Sequence, residues 1–352
     1  KTLTAFLWAI NQLATRAWSG GRVRVLYISP LKALNTDIRQ NLVQPLAQIR
    51  EGFMAQGFSF PDIQVLTRSG DTPQKDRRKM LRYPPDILIT TPESLNLLLS
   101  SKSGQLILGD LKTVILDEIH ACAGSKRGVH LMSAVDRLVR LSGEFQRIAL
   151  SATLADPDTI ARFIGGFSMT GSCHDPVYVP RTVAQVASTI QKEYQLTVEF
   201  PERPAPEALD EDEDYSVWDL LAESFRQRIA QNRATLLFTN GRRLCEKLAY
   251  KVNRASESLV AYAHHGSLSK DLRKDVEDKL RSGGLKAIVA TSSLEMGIDI
   301  GDLDEVIMVQ SPFSVSSAVQ RLGRAGHKVG IPSSGRLFPA HAQDLIACAV
   351  LA

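Results

Sequence analysis
Short apolar runs rich in valine, isoleucine and leucine recur along this chain, each followed by a stretch whose apolar residues step by three and four. The runs at 22–30, 62–70, 86–94, 112–120 and 146–154 have the near-continuous hydrophobicity of strands buried on both faces, and helical patterns lie between them. That alternation predicts a doubly wound α/β domain with a parallel sheet. It lapses from about 165 to 216, where prolines and the acidic run in "EFPERPAPEALDEDEDYS" interrupt any period. It resumes at 234–243, 258–267, 285–301 and 304–312, which predicts a second α/β domain after the first. The acidic run reads as a solvated loop.

The first ten residues, "KTLTAFLWAI", place Leu3, Phe6, Leu7, Ile10 and Leu13 on one helical face, so a helix begins at once. Trp8 is expected to pack in the core with this helix. The start also resembles the end of the phosphate-binding loop G-x-x-x-x-G-K-[ST], in which Lys and Thr open a helix behind backbone N–H groups that cradle phosphate. Lys1-Thr2 is therefore either the tail of such a loop or an accidental opening to an ordinary helix.

Composition narrows the classes. At 352 residues and 44% hydrophobic the chain can fill two cores, and a net charge of +4 permits a polyanionic partner without requiring one. Cys122, Cys173, Cys245 and Cys348 form no C-x-x-C pair, which argues against a zinc site or disulfide framework and fits a reducing compartment, the cytoplasm by default. No apolar run reaches the ~20 residues that span a bilayer, so no membrane association is expected.

In open parallel sheets, ligands sit at the carboxyl ends of the strands. "VILDEIH" ends one of them with adjacent carboxylates, Asp117 and Glu118. Such a pair can be a solvated strand end. Beside a Lys-Thr helix start it can instead hold Mg²⁺ and orient an attacking water, with the Thr2 hydroxyl as a further metal ligand.

Lys1-Thr2, "DEIH" at 117–120, "SAT" at 151–153 and "QRLGRAGH" at 320–327 occur in the order of the motifs of superfamily 2 helicases. "SPLKALNTD", "TPESL", "LLFTNGRR", "HHGSLSKDLR" and "ATSSLEMGIDIG" resemble the intervening motifs of the DExH branch, and "PLKAL", "DEIHA" and "SSLEMGIDIGDLDEV" are most similar to the large helicase-related (Lhr) family. The resemblance implies two tandem RecA-like domains, an ATP-binding one at 1–175 that starts inside the phosphate loop and a helicase C-terminal one at 176–352. It implies an ATP-dependent translocase moving 3′ to 5′ on single-stranded DNA or an RNA–DNA hybrid, unwinding duplex and serving DNA repair. A P-loop motor acting on protein and a binding-only piece lacking a complete ATP site are the competing readings.

The resemblance also implies roles. Lys1 would meet the ATP phosphates, Thr2 and Asp117 the Mg²⁺, and Glu118 the attacking water, while Arg321 and Arg324 of the second domain would act as arginine fingers beside Gln320. Gly297 and Asp299 would help hold the nucleotide. His327 stands where the last motif usually has a third basic residue, and it is not counted as a finger. His120, Ser151 and Thr153 would couple hydrolysis to the strand, and Ser151 to Thr153 also read as a helix cap. Pro30, Leu31, Lys32, Thr91, Pro92 and Glu93 on the first domain, with Thr239, Asn240, Arg242 and Thr291 on the second, would contact the nucleic-acid backbone.

Overall fold
Every strand expected from an apolar run is present. The structure, a computed structural model, describes the chain except residues 1, 31, 153, 155, 173–174, 188–192, 202–215, 255–257, 296–302 and 326–331, and describes the backbone alone at 32–37, 40–41, 171–172 and 270. The chain divides into two units, Lys1–Ala187 and Ser188–Ala352.

The first unit runs α1 (Thr2–Ala14), β1 (Val25–Ile28), α2 (Lys32–Ala55), β2 (Val65–Arg68), α3 (Gln74–Arg82), β3 (Ile87–Thr90), α4 (Pro92–Leu99), α5 (Lys102–Ile107), β4 (Thr113–Leu116), α6 (Lys126–Ser142), β5 (Gln146–Ala149) and α7 (Pro157–Gly165), then a hairpin of β6 (Phe167–Ser172) and β7 (Asp175–Pro180). Strands β1 to β5 form one parallel sheet in the order β2-β3-β1-β4-β5. The chain steps from β1 outward to β2, returns through β3, and crosses β1 to reach β4. The order therefore reverses between β1 and β4, and the carboxyl ends of those two strands frame the crevice where such sheets bind ligands.

The second unit runs β8 (Tyr194–Val198), α8 (Val217–Gln231), β9 (Thr235–Thr239), α9 (Arg242–Arg254), β10 (Ala261–His264), α10 (Lys270–Arg281), β11 (Ala287–Ala290), β12 (Glu305–Val309), α11 (Val315–Leu322), β13 (Ser333–Phe338) and α12 (Ala342–Leu351). Its parallel sheet has the order β10-β11-β9-β12-β13-β8, so the order reverses between β9 and β12.

Each sheet carries its own core. In the first, Leu26, Ile28, Val114 and Leu116 join Leu131, Val135 and Leu138 of α6, and each such side chain removed from water contributes about 1.5–3 kcal/mol. Gly128 lets the start of α6 lie close to the turn before it, because a Cβ there would lie 2.2 Å from the Cys122 carbonyl oxygen. Leu237, Val289 and Ile307 pack on Phe225, Leu248 and Val252 in the second. Cys122, Cys245 and Cys348 are buried free thiols, and no helix among the described residues is long and apolar enough to cross a membrane. Cys173 and His327 lie outside the described residues, as does most of the acidic run.

Three details differ from the sequence reading. Trp8 is 58% exposed, and Leu3 and Leu7 are exposed too. The face of α1 that packs consists of Ala5, Phe6, Ala9, Ile10, Leu13 and Ala14, so small alanines set the approach to the sheet and Trp8, about 200° around the helix from Phe6, points away. The division between units falls after Ala187 instead of at 175/176. The β6–β7 hairpin straddles 175, and Arg181 ties it to the first unit by donating to the Gly165 carbonyl and pairing with Glu144. Finally, the stretch read as irregular contains that hairpin and β8, which pairs in parallel with β13.

Candidate active site
The two acidic residues lie at the reversal point of the first sheet. Backbone pairing carries β4 one residue further, since the Asp117 N–H donates to the Ile28 carbonyl at 2.9 Å and the Ile119 N–H to Leu150 at 3.1 Å. Asp117 is oriented from both sides: its Oδ1 accepts the Glu118 N–H at 2.9 Å, and its Oδ2 accepts the hydroxyl of Tyr27. Burial and then the Asp117 charge raise the Tyr27 pKa, so the phenol keeps its proton and remains the donor. Phe6 of α1 stacks on the Tyr27 ring with centroids 5.3 Å apart, so one aromatic residue links the helix opened by Thr2 to the carboxylate at the end of β4.

Glu118 is left-handed, with φ 46° and ψ 44°, in a conformation few non-glycine residues adopt. It turns the chain into the 3₁₀ turn Ile119–Ala121, which presents His120 toward the end of β5. There the His120 Nδ1 lies 3.1 Å from the Ser151 hydroxyl and accepts the Ala152 N–H at 3.2 Å. A Glu118 carboxylate oxygen lies 3.5 Å from the same nitrogen.

The remaining expected residues of this unit fall into three groups. Thr2 opens α1 and is half-buried. Pro30 is buried beside Ser29 at the end of β1, and the Lys32 backbone starts α2. Thr91 is 1% exposed and caps α4, its hydroxyl accepting the Ser94 N–H at 3.3 Å, with Pro92 in the first turn. Glu93 is held by both nitrogens of a fork from Arg127, at 2.6 and 3.1 Å. Its burial favours the neutral carboxyl, but the Arg127 hydrogen bonds outweigh this and lower its pKa. Lys1, Leu31 and Thr153 lie outside the described residues.

In the second unit the two expected finger arginines part company. Arg321 is 1% exposed; its Nε donates to Glu295 Oε1 at 2.7 Å, both Nη atoms lie 3.2 Å from Asn240 Oδ1, and the guanidinium sits 5.2 Å from the Phe238 ring centre. Asn240 in turn donates to the Ser311 carbonyl at 2.7 Å. Arg321 therefore knits the carboxyl ends of β9 and β12 to the turn Ser292–Leu294 that follows β11. Arg324, one turn on and half-buried, donates from Nη2 to the Glu295 backbone carbonyl at 2.9 Å, and Gln320 is half-buried in the same segment. Thr239 is fully buried and donates its hydroxyl to the Ala290 carbonyl, Arg242 is exposed at the start of α9, and Thr291 is half-buried. Gly297 and Asp299 lie outside the described residues.

Comparison with known proteins accounts for both halves. The sequence model described as "DEAD/DEAH box helicase" matches residues 1–161, and "Helicase conserved C-terminal domain" matches 217–328. The chain is 42% identical to a Mycolicibacterium smegmatis protein named Lhr helicase/probable uracil glycosylase, over 99% of this chain and 24% of that protein. It is also 42% identical to the ATP-dependent helicase Lhr-Core protein 2 of Thermococcus barophilus, over 100% of this chain and 40% of that one. The solved structure of Mycobacterium smegmatis helicase Lhr bound to ssDNA and AMP-PNP superposes with a TM-score of 0.86 at 44% identity, covering 99% of this chain and 44% of that chain. The chain belongs to the Lhr family of superfamily 2 helicases.

The two units thus resemble the RecA-like cores of Lhr helicases, and the chain spans less than half the length of these relatives. Two residues that organise these strand ends, one in each unit, escaped the sequence reading. Tyr27 looked like one more apolar strand position, and only its place beside β4 reveals the hydroxyl's partner. Glu295 lay inside a quoted motif, one turn after a strand, yet its carboxylate is the counter-charge that keeps Arg321 buried. Glu295→Gln should destabilise the second unit by about 3 kcal/mol or more, since Arg321 would keep a buried charge without its counter-ion. A lowered thermal unfolding midpoint would register this; an unchanged one would mean that the charge is compensated elsewhere.

Proposed function
We propose that this chain is the motor of an ATP-dependent helicase that moves 3′ to 5′ on single-stranded DNA, or along the DNA of an RNA–DNA hybrid, in cytoplasmic DNA repair. The observation that carries the reading is the Asp117–Glu118 pair at the sheet's reversal point, with Asp117 already oriented by Tyr27. The naming of the relatives as ATP-dependent helicases, and the AMP-PNP and ssDNA bound to the similar Lhr structure, support it.

Lys1 and the N-terminus of α1 receive the phosphates of ATP. No cluster of three or more histidine, cysteine or acidic residues suited to a metal exists among the described residues. The Asp117 carboxylate with the Thr2 hydroxyl fits Mg²⁺, which is usually held by one or two carboxylates together with substrate phosphates. When bound, the metal would neutralise charge on the β- and γ-phosphates. Glu118 orients a water whose oxygen attacks the γ-phosphorus as the bond to the ADP oxygen breaks, and its carboxylate accepts the water's proton. Arg324 stabilises the charge on the transferred group, while Gly297, Asp299 and Gln320 help hold the nucleotide. His120 and Ser151, joined to each other and to Glu118's turn, carry the change at the phosphate to the end of β5.

ATPase rate measured on the intact protein with single-stranded DNA, single-stranded RNA and no polymer tests this. DNA should raise the rate at least about tenfold, and an oligonucleotide with a blocked 3′ side should halt movement. A rate indifferent to any polymer would favour a motor that acts on protein.

A further inference from the structure
β1 is buried at every position, and Tyr27 brings its only polar side chain. Tyr27 is level with Ile115 of the neighbouring β4. Side chains alternate along a strand and rise about 3.3 Å per residue, so Asp117 leaves on the same face as Ile115 and about 7 Å further along. A phenol is long enough to cover that distance, whereas serine or threonine at 27 is not. The hydroxyl that meets Asp117 Oδ2 is therefore a matter of length as well as of polarity.

Phenylalanine would fill the same space without a polar atom, so packing does not explain the hydroxyl. A buried hydroxyl costs stability unless it is bonded, and this one is spent on a carboxylate. With Oδ1 accepting the Glu118 N–H at 2.9 Å, each oxygen of Asp117 is held by a donor. A carboxylate held at both oxygens cannot turn about its Cβ–Cγ bond, and the second lone pair of each oxygen is set in a fixed direction. The kind of donor matters too. A lysine or arginine in this place would offset the charge that draws a cation to Asp117, whereas a phenol that keeps its proton orients the carboxylate and leaves its charge whole. The ring is fixed in its turn by Phe6, whose plane lies 19° from its own and which stands one helical turn after Thr2 on α1.

We infer that Tyr27 is a positioning residue for the divalent cation of the ATP site, its hydroxyl fixing the direction from which the Asp117 carboxylate meets the metal. The inference rests on the reading of Asp117 and Thr2 as Mg²⁺ ligands and extends it, since Tyr27 acts only through Asp117. Partners of this kind behind a metal's ligands set how tightly the metal is held.

Tyr27→Phe removes the hydroxyl and keeps the ring on which Phe6 stacks. In the intact protein, Mn²⁺ titrated into the AMP-PNP complex and followed by electron paramagnetic resonance should bind the variant about 10- to 100-fold more weakly, the loss typical when the hydrogen-bonding partner of a metal ligand is removed. The Mg²⁺ concentration that gives half-maximal ATPase rate should rise by the same factor. AMP-PNP affinity in the presence of EDTA should match the parent's, because without a cation the nucleotide gains nothing from the orientation of Asp117. Parent protein that binds AMP-PNP no better with either cation than with EDTA would overturn the metal reading itself. Parent that does bind better, with a variant of equal Mn²⁺ affinity, would overturn the role of Tyr27 alone. A variant that loses AMP-PNP affinity equally with and without cation, together with a lowered unfolding midpoint, would make the hydroxyl a brace of the core and overturn that role as well.

Discussion

Replacing Glu118 with glutamine should lower ATP turnover by about 10² to 10⁴, the range associated with a positioned general base, while AMP-PNP affinity changes little. The amide fills the same volume and still accepts a hydrogen bond, but it cannot take a proton from water. Its neighbours keep their arrangement, because Asp117 is oriented by Tyr27 and by the residue-118 backbone N–H, which any side chain there leaves intact. The left-handed backbone at 118 is likewise no worse for glutamine than for glutamate. Single-turnover measurement separates the step from binding. Turnover close to the parent's would remove Glu118 from the chemistry and return "DE" to a solvated strand end.

Arg324→Ala should reduce turnover by roughly 10³ to 10⁵, as loss of an arginine finger does in related phosphoryl transfers, and should alter nucleotide affinity far less. The contrast with Arg321 sharpens the test. Arg321 is enclosed by Glu295, Asn240 and Phe238, so its removal strips an internal brace and should show first as a lower unfolding midpoint of the second unit. Arg324 is half-buried and donates to the Glu295 backbone carbonyl, a neutral acceptor, and under the proposed function its role belongs to the transition state. If rate and affinity fell together for Arg324→Ala, it would be a ground-state ligand and the finger would have to be sought elsewhere.

What could be read from residues alone followed burial. Strands β1, β3 and β4, buried on every position, announced themselves as apolar runs, and so did β9, β11 and β12. β13 begins "SSGR" and β8 is half-exposed at the sheet's edge, so neither has an uninterrupted apolar signature. The exposed β7 has no buried side to betray it. The acidic pair was visible because strand ends are where parallel sheets keep their chemistry. The burial of Arg321 was hidden, because it depends on Glu295 and Asn240, brought together from two strand ends that sequence spacing does not relate. Trp8 was misplaced for a simpler reason: helical periodicity favoured large residues for the buried face, and the alanines took it.

The strand orders β2-β3-β1-β4-β5 and β10-β11-β9-β12-β13 trace the same path, strand for strand. Laid over one another, Asp117 and Glu118 just beyond β4 correspond to Gln310 and Ser311 just beyond β12, and each pair includes a left-handed residue that is not glycine. The two units share one strand path but differ at this corner, acidic in the first and uncharged in the second. In the second unit the Ser311 carbonyl is the anchor for Asn240 and, through it, Arg321. The same position in the two sheets is thus chemically unequal, two carboxylates in one unit and a glutamine and a serine in the other.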